Sequence, residues 1–140
     1  MMINSRSAVD ISVGDILPEL QVAMTAQKII SAAAATRDWQ PIHHDHAVAT
    51  ASGLRGIILN APSQTGWISK YITDWAGPCA QIKRLSFKMK DSICPGDALC
   101  LNGEIISQDN NGLVVAAVTL SVGDKIKTVA EVRFGFTELN

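Results

Sequence analysis

The hydrophobic pattern of this chain changes period at Gly77-Pro78, and that change dictates what the fold must combine. Before it, Ile68, Tyr71, Ile72 and Trp75 recur at i, i+3, i+4 and i+7, with Trp67 widening the stripe, as on one face of a helix. Asn60 as N-cap and Pro62 just inside the start open that helix, and Gly77-Pro78 stops it. Gly66 inside it costs ~1 kcal/mol against alanine and predicts a close backbone approach. After the break the period is two. Leu85, Phe87 and Met89 alternate with Arg84, Ser86, Lys88 and Lys90. Pro95-Gly96-Asp97 turns the chain into Leu99, Leu101 and Ile105. Asn110-Asn111-Gly112 leads to Val114, Ala116, Val118, Leu120 and Val122. Gly123-Asp124 then leads to Ala130, Val132, Phe134 and Phe136. Strands joined by tight turns predict an antiparallel meander. One long helix packed on a curved antiparallel sheet is an α+β layer architecture.

Upstream, Met1 to Ser7 is polar and expected to fray. Val9 to Ile16 alternates loosely around Gly14-Asp15, which predicts a short strand and turn. Pro18 blocks a helix there, and Leu20 to Met24 alternates as a strand does. Thr25 is a fair N-cap for an alanine-rich helix over Ala26 to Thr36. That helix ends by Gln40, because Pro41 restricts the residue before it to extended geometry. Asp38 therefore falls at the helix end and His43 on a loop stiffened by the proline. Asp45 can cap a short helix from His46 to Ala51, closed at Gly53. Gly56 to Leu59 is a brief apolar segment.

A length of 140 residues suits a single domain spanning 1–140. A net charge of −1 argues against a nucleic-acid partner. No apolar run approaches the ~18 residues of a membrane span. Cys79, Cys94 and Cys100 are odd in number and form no C-x-x-C pair. With no signal peptide at the N-terminus, they read as reduced thiols of a cytoplasmic protein.

Asp38 and His43, either side of a proline turn, can face one pocket and divide proton transfer between them. The plainer reading is a capping aspartate and a surface histidine. His43, His44, Asp45 and His46 invite a metal, yet adjacent residues point apart and no further ligand set lies at metal spacing, so no metal is expected. Ser69 can offer a hydroxyl to the same pocket, or simply bond its own i−4 carbonyl. Amides opening a helix are electropositive. Pro62 has no N–H, which leaves the Ala61 amide beside Asn60 as the donor for a carbonyl oxygen gaining charge. Lys83, Arg84, Lys88 and Lys90 around Phe87 either meet the phosphates of a nucleotide-type carrier or form the solvated face of a half-buried strand. No G-x-S-x-G elbow and no phosphate loop is present.

Asp38-Trp-Gln-Pro-Ile-His43 resembles the Asp-x-Asn-Pro-x-His motif of the MaoC-like (R)-specific enoyl-CoA hydratases, which have the hot-dog fold. Val13-Gly-Asp-Ile-Leu-Pro-Glu-Leu20 is similar to that family's opening strand and turn, and Pro95-Gly-Asp97 to its inter-strand turn. A nearer resemblance, through Ala35-Thr-Arg-Asp38, His43-His-Asp45 and Tyr71 to Pro78, is to the small MaoC-like subunit of actinobacterial steroid side-chain hydratases. The resemblance implies that a curved sheet wraps one central helix and that Asp38 and His43 hydrate a trans-2-enoyl-CoA. It implies Ala61 as oxyanion donor, Asn60 and Ser69 beside the substrate, and no cofactor beyond the CoA thioester. It also implies a dimer in which inner sheet faces join around the acyl tunnel, or a heteromer with a second MaoC-like chain. Two positions depart from the motif: Gln40 replaces the usual Asn, and Asn60-Ala61 replaces the usual His-Gly. A hot-dog thioesterase, or a subunit active only beside a partner, are the competing readings.

Overall fold

The computed structural model describes residues 6–137. Strand β1 (Ile16–Ala23) is followed by helices α1 (Ala26–Ala35), α2 (His46–Ala51) and α3 (Ala61–Ala76), then strands β2 (Ala80–Met89), β3 (Ala98–Gln108), β4 (Val114–Val122) and β5 (Lys125–Phe136). The strands form one five-stranded sheet in the order β1-β3-β4-β5-β2, with every pair antiparallel. The expected meander thus holds for β3, β4 and β5, but β2 pairs with the far side of β5 and does not adjoin β3. The reason lies in the Pro95-Gly96-Asp97 turn, which bonds to the end of β1. The Gly96 N–H donates to the Met24 carbonyl at 2.8 Å, and the Met24 N–H donates to the Asp97 carbonyl at 2.9 Å. The preceding segment crosses the molecule with Ile93 and Cys94 buried, as a hairpin loop would not.

Two N-terminal expectations change. Ala8–Asp10 forms a single 3-10 turn, and the strand begins only at Ile16 and runs through Pro18. Proline is tolerated there because β1 is an edge strand whose register slips between Leu17 and Leu20. Of the segment expected to fray, residues 1–5 lie outside the described residues. Arg6 and Ser7 are held: the Arg6 N–H bonds the Ala76 carbonyl at 3.1 Å, and its guanidinium sits 4.5 Å from the Trp75 ring centroid.

Helix α3 buries the face its sequence marks. Ile68, Tyr71, Ile72 and Ala76 are at most 5% exposed and pack in one core with Leu99, Leu101, Ile105, Val118, Leu120, Val132 and Phe134. A buried hydrogen bond from the Thr128 hydroxyl to Gln64 Oε1, at 2.6 Å, ties the helix to β5. The close approach expected at Gly66 is elsewhere. A Cβ on Gly66 would meet nothing within 4 Å, whereas one on Gly103 of β3 would lie 3.0 Å from the Tyr71 ring. Because α3 fills the inner face of its own sheet, a dimer cannot be made by joining two inner faces.

Candidate active site

The acid and the histidine are set by local backbone rules. After α1 the chain reverses at Arg37, whose φ of 53° is a left-handed conformation rare outside glycine. That reversal brings the Asp38 N–H onto the Ala33 carbonyl at 2.9 Å. Gln40 is extended, as a residue before proline must be, and Pro41–His43 makes one 3-10 turn. This carries His43 inward to 6% exposure, against the plainer reading of a surface histidine. Its Nδ1 lies 2.7 Å from the Ile58 carbonyl oxygen. A carbonyl only accepts, so Nδ1 carries the proton and Nε2 faces the acid. His43 Nε2 and Asp38 Oδ2 are 3.2 Å apart.

Asp38 Oδ2 also accepts from Asn60 Nδ2 at 2.9 Å. The Asn60 amide holds the Asp38 carboxyl below the usual carboxylate range; partial burial opposes this, and the Gln40 N–H and the His43 charge add to it. The orientation of the Asn60 amide is fixed by its other partners. Its oxygen must accept the Ser63 N–H, at 3.1 Å, and also receives the Ser63 hydroxyl. Its nitrogen donates to Thr36 Oγ1 at 2.9 Å, and the Thr36 hydroxyl in turn donates to the Ala32 carbonyl at 2.8 Å. Asn60 is thus the N-cap of α3 and a partner of the acid at once. At the start of α3, Ser63 N–H goes to the cap, Gln64 N–H goes to the Asn60 carbonyl at 3.2 Å, and Pro62 has none. Among the described residues the Ala61 N–H meets no acceptor, so it is the amide this helix start leaves open.

Asp38, His43, Asn60 and Ala61 therefore come together. Ser69 does not join them directly: at 1.5 Å per residue it sits about 12 Å along the axis from Ala61. It is half-buried, and its hydroxyl makes no hydrogen bond among the described residues, whereas Thr65 and Thr73 bond back to the carbonyls of Ala61 and Ser69. His44 and His46 are exposed, and Asp45 caps α2 through the Val48 N–H at 3.2 Å. Among the described residues no three His, Cys, Asp or Glu side chains converge as metal ligands. Lys83, Arg84, Lys88 and Lys90 are all exposed beside half-buried Phe87. Thr36, Ser63 and the Ile58 carbonyl belong to the site and were not expected. Ser63 is three residues after the cap, so the N3 position could have disclosed it; nothing local marks the other two.

A helix wrapped by an antiparallel sheet, with an acid–imidazole pair at its opening beside an open amide, defines a protein of the hot-dog fold. The chain belongs to the MaoC-like domain family, whose model matches residues 13–126. It is 36% identical over 121 residues, 85% of this chain and 93% of the other, to the 3-oxo-4,17-pregnadiene-20-carboxyl-CoA hydratase beta subunit of Mycobacterium tuberculosis. Its fold is similar to a chain of the ChsH1-ChsH2 complex of the same organism, with a TM-score of 0.87, 33% identity and coverage of 90% of this chain and 98% of that one. The (R)-hydratase PhaJ1 of Pseudomonas aeruginosa shares the fold at a TM-score of 0.87 and 19% identity, over 96% of this chain and 88% of that one. Among the described residues no helix is long and apolar enough to cross a membrane.

Proposed function

We propose that this chain, as one domain over residues 1–140, is an enoyl-CoA hydratase that adds water across the double bond of a trans-2-enoyl-CoA thioester. The observation that carries this reading is the 3.2 Å contact between His43 Nε2 and Asp38 Oδ2 at the mouth of α3. The pair takes a proton from water as its oxygen bonds to the β carbon, and delivers a proton to the α carbon. Between these events the thioester oxygen carries negative charge, which the Ala61 N–H meets. Donors of this kind supply about 10²–10³-fold in rate. Asn60 borders the oxyanion position, and Ser69 offers its hydroxyl further along the acyl group.

Asp38→Asn and His43→Ala are each expected to lower kcat by about 10²–10⁴-fold, measured by loss of enoyl-thioester absorbance. Near-normal rates in both variants would remove the assignment. A hot-dog thioesterase would instead release free thiol, which the same assay with a thiol reagent detects. The chemistry needs no metal and no resident cofactor, since acid, imidazole and amide supply it. Dialysis against EDTA should therefore leave the rate unchanged, and a loss restored by a divalent cation would contradict this.

For the acyl group we favour a bulky, steroid-like one, supported by the substrate for which the M. tuberculosis relative is named. Because that relative is a beta subunit, and the fold match comes from a two-protein complex, a second MaoC-like chain is the favoured partner, with a homodimer as the simpler assembly. A reducing cytoplasmic setting accords with the free thiols of Cys94 and Cys100.

A further inference from the structure

We propose that Asn60 is a positioning residue: its side chain fixes the Asp38 carboxylate in front of His43 and locks it to the cap of α3, where the Ala61 amide lies. The inference rests on the hydratase reading for its purpose, but its geometry stands alone. Asn60 is 3% exposed, and its amide partners form a closed circuit. Two acceptor contacts come from Ser63, and two donor contacts go to Thr36 and Asp38. The side chain cannot turn over, because the Ser63 N–H would then face an NH2 group and the carboxylate an oxygen. Thr36 serves as the second anchor. Its hydroxyl proton is spent on the Ala32 carbonyl, so it can only accept from Asn60. The end of α1, the acid and the start of α3 are thereby joined through one amide. The groups that should share a reaction, the carboxylate and the Ala61 N–H, are set by the same residue.

A cap alone would need only the oxygen of Asn60. Serine provides that oxygen without the NH2, and aspartate provides it with a second carboxylate where the NH2 was. Asn60→Ser and Asn60→Asp therefore separate capping from positioning. The groups facing the Asp38 carboxylate are the Asn60 amide from α3, the Gln40 N–H from its own loop and the His43 ring from the 3-10 turn. Among the described residues His43 is the only one of these that can bear charge.

The test is a carbon-13 NMR titration of the Asp38 carboxyl in the purified chain, with the signal assigned by its loss in Asp38→Asn. In the wild type it should titrate below the ordinary carboxylate value of about 3.9. Asn60→Ser should raise the midpoint toward the ordinary carboxylate value, and Asn60→Asp should raise it further, because two adjacent carboxylates cannot both ionise easily. Thermal unfolding confirms that the variants fold; should one fail, the other still decides. Unchanged midpoints in the folded variants would overturn the inference. This readout needs no turnover, so its failure is distinct from failure of the hydratase reading, which the Asp38→Asn rate tests. In the active assembly a positioning role further requires the acid limb of kcat/KM to move up in pH with the NMR midpoint. A uniform rate loss with a fixed limb would reduce Asn60 to a cap.

Discussion

Tyr71 reports on the centre of the molecule, because it is the one tyrosine in the chain. Its ring lies against Gly103 and its hydroxyl donates to the Pro18 carbonyl at 2.9 Å, so the helix α3, the interior strand β3 and the edge strand β1 meet at a single side chain. Burial pushes its phenol from 10.0 up to about 12, and the nearby Cys100 and Glu19 add to this. The sign follows from which state holds the proton. The folded value exceeds the unfolded one, so this group's stabilisation is complete below pH 10 and is lost as pH rises toward 12. Absorbance at the tyrosinate band should therefore show one transition near pH 12, and Tyr71→Phe should abolish it and flatten the alkaline loss of stability. A transition near 10 would mean that the ring is not buried as described.

At the scale of elements, the packing of α3 on β3 can be tested at two glycines, Gly66 in the helix and Gly103 in the strand. Gly66→Ala adds a methyl into open space on a helix and should stabilise by about 0.5–1 kcal/mol. Gly103→Ala drives a methyl to 3.0 Å from the Tyr71 ring and should cost about 1–3 kcal/mol. Denaturant midpoints of the two variants should move in opposite directions; movement in the same direction would contradict the packing of α3 on β3. These two positions also mark what could be read in advance. Local signals were legible: Thr25, Asp45 and Asn60 do cap the three helices, and the alternation after Gly77 does give strands. Non-local pairing was not. Nothing near Gly103 says that a ring will lie on it, and nothing near Pro95 says that its turn will bond Met24. The site divides the same way. The proline rule placed Asp38 at the helix end and His43 on the loop beyond it, but the Asn60–Asp38 bond spans 22 residues and left no periodicity to detect.

For the whole molecule, the decisive feature is the pair of sheet edges. An open edge invites pairing unless it is interrupted. Strand β1 is interrupted, by Pro18 and by the register slip after Leu17. Strand β2 shifts register against β5 between Ile82 and Arg84, but it runs from Ala80 to Met89 without proline or glycine, and among the described residues no strand lies on its outer side. Ile82, Leu85 and Phe87 remain only partly buried along it, packed against the core from one side. Lys83, Arg84 and Lys88 stand exposed among them, which disfavours indiscriminate stacking and favours a partner that satisfies both backbone and charge. The chain should therefore not function at its single-chain mass of 15.0 kDa. Light scattering under assay conditions should give a multiple of that mass, or a complex with a second MaoC-like chain when both are produced together. Amide hydrogen exchange gives the residue-level check. The outward N–H groups of β2 should be protected in the assembly and exchange freely on dilution to the monomer, while β3 and β4 stay protected throughout. Full hydration activity from a 15.0 kDa species with β2 exchanging freely would show that the edge serves no partner.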